Sequence, residues 1–93
     1  MNTIYRGYPS TIFNETVQRK EGYRQSMKLV IIPWCTQGQV APKKYEFQIL
    51  GFTPEETLIQ LRGEYDDLDE ALNQGKKNYQ EIKEQLTINS EED

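Results

Sequence analysis

The sequence predicts an α+β fold, a small antiparallel meander of three to four strands followed by a long C-terminal amphipathic helix. Three observations carry that expectation. Residues 23–34 and 43–52 alternate apolar and polar side chains with the period of two that half-buried strands show. Thr53, Pro54, Glu55 and Glu56 form a helix-start signal, and behind them apolar residues recur at alternating intervals of three and four as far as Leu86. Apolar residues make up 35% of the 93, and they concentrate between Leu29 and Phe52, which suits one small core with a polar appendage.

Residues 2–23 interrupt β-branched and aromatic side chains with Gly7, Pro9 and Gly22, consistent with two shorter strands that complete the meander. Ser10 equally suits the cap of a short helix. In residues 23–34, Tyr23, Met27, Leu29 and Ile31 share one face and Arg24, Ser26 and Lys28 the other. Val30 and Ile32 then make the segment apolar throughout, so its second half is expected to be covered on both faces. Pro33 predicts that this strand frays at its end or lies at an edge there, because proline has no N–H for a ladder. Residues 43–52 set Tyr45, Phe47 and Ile49 against Lys44, Glu46 and Gln48 and form the next strand. Between the two strands there is no two-residue turn signal, so turn chemistry pins their register poorly.

Thr53 then reads as a helix N-cap, Pro54 as the first helical residue, and Glu55 and Glu56 as acids of the first turn. Leu58, Leu61, Tyr65, Leu68, Leu72, Gly75, Tyr79, Ile82 and Leu86 follow as a heptad seam whose one vacancy is Gly75. The apolar residues beyond Gly75 keep the phase of those before it. That favours a continuous helix, since an interior glycine costs only about 1 kcal/mol relative to alanine. Gly75 followed by Lys76 and Lys77 also suits a helix end, so a break near Gly75 stays open. The expected organisation is one domain, with residues 1–52 as sheet, 53–86 as a helix packing on the sheet and projecting beyond it, and 87–93 as a frayed acidic tail.

A helix over 54–86 would be roughly 50 Å long, against strands of about 26 to 34 Å. The overhang directs attention to Leu68, Leu72, Gly75, Tyr79, Ile82 and Leu86 as a partner-binding seam, with a second copy of the chain as the most economical partner. The expected function is a non-enzymatic protein–protein interaction or regulatory module that forms a homodimer through its C-terminal helix.

Charge suggests an alternative. Residues 1–51 carry seven Lys and Arg against three Glu, while residues 52–93 carry four against twelve acids. In the basic half, Tyr5, Arg6, Tyr8, Arg19, Lys20, Tyr23, Arg24 and Lys28 interleave aromatic rings with cations. Single-stranded nucleic acid is held by that combination, with bases on rings and phosphates on Lys and Arg. A small nucleic-acid-binding protein using a basic, Tyr-rich sheet face is therefore the second expectation, and it requires the acidic helix to point away.

Other functions find little support. The chain has no histidine, which removes the commonest general base and metal ligand. No basic residue lies within six positions of Cys35, so this cysteine reads as structural rather than nucleophilic. Asp66, Asp69 and Glu70 lack the glycine-containing loop of a calcium site and read as a solvated helix face. No phosphate-binding glycine loop is present, and neither cofactor nor metal is expected. No run approaches the roughly 18 apolar residues of a membrane span. A single cysteine and a first segment unlike a secretory leader give a cytoplasmic expectation, in which the sequon at Asn14 has no meaning.

Overall fold

The computed structural model describes residues 4–20, 22–38 and 41–87. Five strands, β1 (Ile4–Arg6), β2 (Ser10–Gln18), β3 (Arg24–Thr36), β4 (Lys44–Phe52) and β5 (Thr57–Tyr65), form one antiparallel sheet, and α1 (Leu68–Thr87) follows them. β1 and β2 lie end to end along one edge of β3, β4 lies on its other side, and β5 pairs with the outside of β4. The α+β meander with a C-terminal helix is thus the fold. Ser10 opens a strand rather than a helix.

β3 does not fray at Pro33. The strand continues to Thr36, and Pro33 pairs with Tyr45 of β4 on one side. On the other side the carbonyl of Pro33 accepts a hydrogen bond from Gly7 N–H at 2.7 Å, in the detour that separates β1 from β2. Within a strand the N–H and C=O of one residue point to the same neighbour. The donor that proline lacks therefore falls where the edge strand has left the ladder, and the sheet loses nothing by it.

The alternations read in β3 and β4 hold. Met27, Leu29, Ile31, Phe47 and Ile49 are buried together under α1, while Arg24, Ser26, Lys28, Lys44, Glu46 and Gln48 belong to the opposite face. Val30 and Ile32 are also buried, although no second layer among the described residues covers them. Side chains of the open face shield them instead.

Residues 53–65 depart from expectation. Thr53 N–H donates to Glu56 O at 2.9 Å, and Thr53 Oγ1 accepts from the N–H of Glu55 and of Glu56, each at 3.3 Å. The two Oγ1 bonds are those of a helix cap, but the Thr53 N–H to Glu56 carbonyl bond runs the opposite way to a helical one and closes a hairpin turn between β4 and β5. Leu58, Leu61 and Tyr65 consequently belong to a strand and not to a helical seam. From Leu61 onward, Leu61, Gly63 and Tyr65 alternate with Arg62 and Glu64, a period of two that the coincident three-and-four spacing conceals. The side chains of Leu58 and Ile59 lie outside the described residues.

The true cap is Asp67. Its Oδ2 accepts Glu70 N–H at 3.1 Å, and its carbonyl opens the helix with Ala71 N–H at 3.0 Å. α1 is continuous through Gly75 and extends to Thr87, and the remainder of the expected tail, 88–93, lies outside the described residues. At 20 residues α1 is about 30 Å long and β3, with 13, about 43 Å. The helix has no overhang.

Candidate functional site

The proposed helix seam is occupied by the protein's own sheet. Ala71 and Tyr79 are buried in the core, Leu72, Ile82 and Leu86 pack against it, and only Leu68, 40% exposed, stays largely open. Gly75 brings the helix down onto the sheet, because a Cβ there would stand 3.2 Å from Leu29 Cδ1 and 3.2 Å from Phe47 Cβ. The vacancy in the heptad is filled by β3 and β4. Below it, Glu15 of β2 accepts hydrogen bonds from Tyr79 Oη at 2.7 Å and Lys83 Nζ at 3.0 Å, tying the helix to the sheet edge. The Tyr79 bond, assisted by Lys83, holds the Glu15 carboxyl below its ordinary range despite partial burial. Burial first, and then the Glu15 carboxylate, push the Tyr79 phenol up. A surface engaged in this way is not free for a partner helix.

Among the described residues, no element covers the other face of the sheet. Register places Arg6 opposite Trp34 and Trp34 opposite Lys44, so the indole has a cation on each flank in the sheet. Arg6 lies 5.1 Å and Lys44 5.3 Å from the ring centre, both within cation–π range. Trp34 Nε1–H donates to Glu46 Oε1 at 2.9 Å. Gln48 Nε2 and Arg62 Nε donate to Glu46 Oε2 at 2.9 and 2.6 Å, and Arg6 Nε lies 3.4 Å from Oε1. Glu46 is thereby 0% exposed on a face that no helix covers.

Burial alone would push the Glu46 carboxyl up, the largest single influence. The hydrogen bonds from Gln48, Arg62 and Trp34, together with the charge of Arg6, outweigh it and hold the group below the usual carboxylate range. Beside it, Glu64 accepts from Lys44 Nζ at 2.7 Å and from Arg62, and the Lys44 bond is the main reason its carboxyl is also lowered.

Only part of the predicted basic and aromatic set meets on this face. Arg6, Arg24 and Lys28 do; Arg24 and Lys28 follow the alternation whose other members, Gln25, Met27 and Leu29, are buried under the helix. Neither has an ion-pair partner among the described residues. The tyrosines do not join them. Tyr5 pairs with Cys35 on the helix side, Tyr8 stands 94% exposed in the β1–β2 detour, and Tyr23 lies in the β2–β3 turn with Arg19 5.1 Å from its ring. Lys20 is in that same turn, where its N–H donates to Leu86 O at 3.0 Å and anchors the end of α1.

Sequence reasoning missed Trp34, Lys44 and Arg62 as members of the site. Lys44 was legible from the β4 alternation and Trp34 from its place two residues beyond Ile32. Arg62 was hidden by the helical reading of β5. Among the described residues of the open face, Arg6, Arg24, Lys28, Lys44 and Arg62 accompany Glu46 and Glu64, five cations against two carboxylates. The turn before α1 and the helix carry six acids against three lysines and lie on the far side of the sheet. Among the described residues no group of His, Cys, Asp and Glu could hold a metal ion, and no helix is long and apolar enough to cross a membrane. Comparisons with protein families, curated proteins and solved structures found no significant match to this chain.

Proposed function

We propose that this protein is a non-enzymatic binding module that holds single-stranded nucleic acid along the uncovered face of its sheet. The observation that carries this reading is the separation of charge by face, cations on the open sheet and acids on the helix side. An acidic helix beside the cations would repel phosphate, and here it is placed behind them. Arg24 and Lys28, without ion-pair partners among the described residues, serve as phosphate ligands at one end of β3. At the other end Trp34, flanked by Arg6 and Lys44, adds the aromatic component. The two ends lie about 33 Å apart at 3.3 Å per residue, so a strand of several nucleotides spans them.

The test is fluorescence anisotropy of a labelled single-stranded oligonucleotide across a salt series. Binding weakens steeply with salt, and replacing Arg24 and Lys28 together by Gln lowers the affinity and reduces the salt slope by about two. Trp34 is the only tryptophan of the chain, so its emission changes on binding. An absence of binding at low salt ends the proposal.

A further inference from the structure

The two edges of the sheet are built differently. On the β1–β2 side the ladder is broken by the detour at Gly7, Tyr8 and Pro9 and shifts register again between Thr11 and Phe13. Such interruptions are how sheets stop a second chain from pairing with their edges. β5 has no comparable protection. Its one register shift, opposite Gly51 and Phe52, falls at the Thr57 end, and residues 59–65 run in unbroken register with β4. Over that stretch there is neither proline nor lysine. The outer side of β5 pairs with nothing among the described residues, and α1 leaves it at once to cross toward Glu15 and Lys20.

From this we infer that β5 pairs with β5 of a second copy of the chain, antiparallel, about a two-fold axis through Gly63. The choice of axis follows from charge. A symmetric antiparallel pair must centre on a residue, with the axis perpendicular to the sheet, so that both copies keep the same face outward. Centring on Arg62 or Glu64 puts like charges directly opposite. Centring on Leu61 sets Arg62 against the partner's Gln60 and pairs no charges. Centring on Gly63 sets Arg62 against the partner's Glu64 twice over on the open face, and Leu61 against the partner's Tyr65 twice over on the helix side. Opposite charges and apolar–aromatic pairs are the favourable cross-strand combinations. Leu61, 40% exposed, is an exposed large apolar side chain of β5 and gains cover by this pairing. The dimer joins the two open faces into one continuous surface.

Light scattering tests the pairing and is independent of any nucleic-acid affinity. The intact protein is expected at twice its 11.0 kDa chain mass. Glu64→Lys opposes like charges across the axis, raises the dissociation constant by about tenfold or more, and leaves the circular dichroism of the monomer unchanged. A cysteine pair reads the register directly. In a Cys35→Ser background, Leu61→Cys with Tyr65→Cys gives a covalent dimer, because directly opposed residues lie within disulfide reach, whereas positions 61 and 65 of one strand are about 13 Å apart. If Glu64→Lys does not fold, the cysteine pair decides alone. A monomeric intact protein at the highest concentration reached, a dimer that survives Glu64→Lys, or a dimer that does not cross-link overturns the inference.

Discussion

Gly75 and Glu46 each hold a position that no near substitute can occupy, for opposite reasons. At Gly75 the constraint is space. A side chain there gains about 1 kcal/mol of helix propensity, but its Cβ stands 3.2 Å from Phe47 Cβ, which cannot move without its strand. Gly75→Leu is therefore expected to destabilise the protein by about 2–3 kcal/mol, as overpacking does, measured by chemical denaturation. The vacancy in the heptad, read alone, invites the opposite prediction of a stabilising fill. At Glu46 the constraint is charge. A neutral amide would turn one of its ends toward donors that want an acceptor, so Glu46→Gln costs about 1–3 kcal/mol. Glu46 has a lowered pKa in the fold, so the ionised form favours folding. That contribution is complete above the ordinary glutamate pKa of about 4.3 and is lost as pH falls through the lower folded value. Acid denaturation curves should show the loss, and Glu46→Gln should flatten it.

At the scale of the element, two turns compete for the start of the helix, and their hydrogen bonds look alike. Thr53 satisfies the N–H groups of Glu55 and Glu56, and Asp67 satisfies that of Glu70. Only the second leads into a helix. Asp67→Ala should cost about 1 kcal/mol, whereas Thr53→Ala, in an exposed hairpin turn, should cost under about 0.5 kcal/mol. Urea midpoints for the two variants, compared side by side, check the ordering. The turn at Thr53 becomes a hairpin because residues 57–65 can serve as a strand on the free edge of β4. Gly63 is part of the reason, since a Cβ there would meet Phe47 Cε2 at 2.6 Å and displace the ring that stacks on Tyr65 at 6.0 Å.

Taken as a whole molecule, the described residues form two layers, a sheet and a helix, with one face of the sheet left uncovered. Whole-chain charge, net −4, says little about such an object, because the sign that a ligand meets depends on the face it approaches. Replacing Lys76 and Lys77, both exposed on the helix side, with Gln should leave oligonucleotide affinity and its salt slope unchanged, although it removes as much positive charge as the Arg24 and Lys28 substitutions. Equal losses from the two pairs, read in the same anisotropy assay, would show that net charge rather than the sheet face governs binding.

By itself the sequence determined the faces of β3 and β4, the phase of the helix from Leu68 onward, and the absence of histidine chemistry. Each depends on residues two to four apart, whose spacing decides which side chains share a side. Tertiary structure alone decided three further things: that residues 57–65 are a strand, that Gly75 is a point of contact, and that Trp34, Glu46 and Arg62 meet. Helical and extended readings of 57–65 both satisfy the local spacing. What separates them is the free edge of β4 and the Phe47 ring over Gly63, and these come from a segment whose paired residues lie up to 20 positions earlier in the chain. A pattern of near neighbours carries no record of which distant backbone needs a partner, so the sequence predicts a projecting helix where the fold builds an edge.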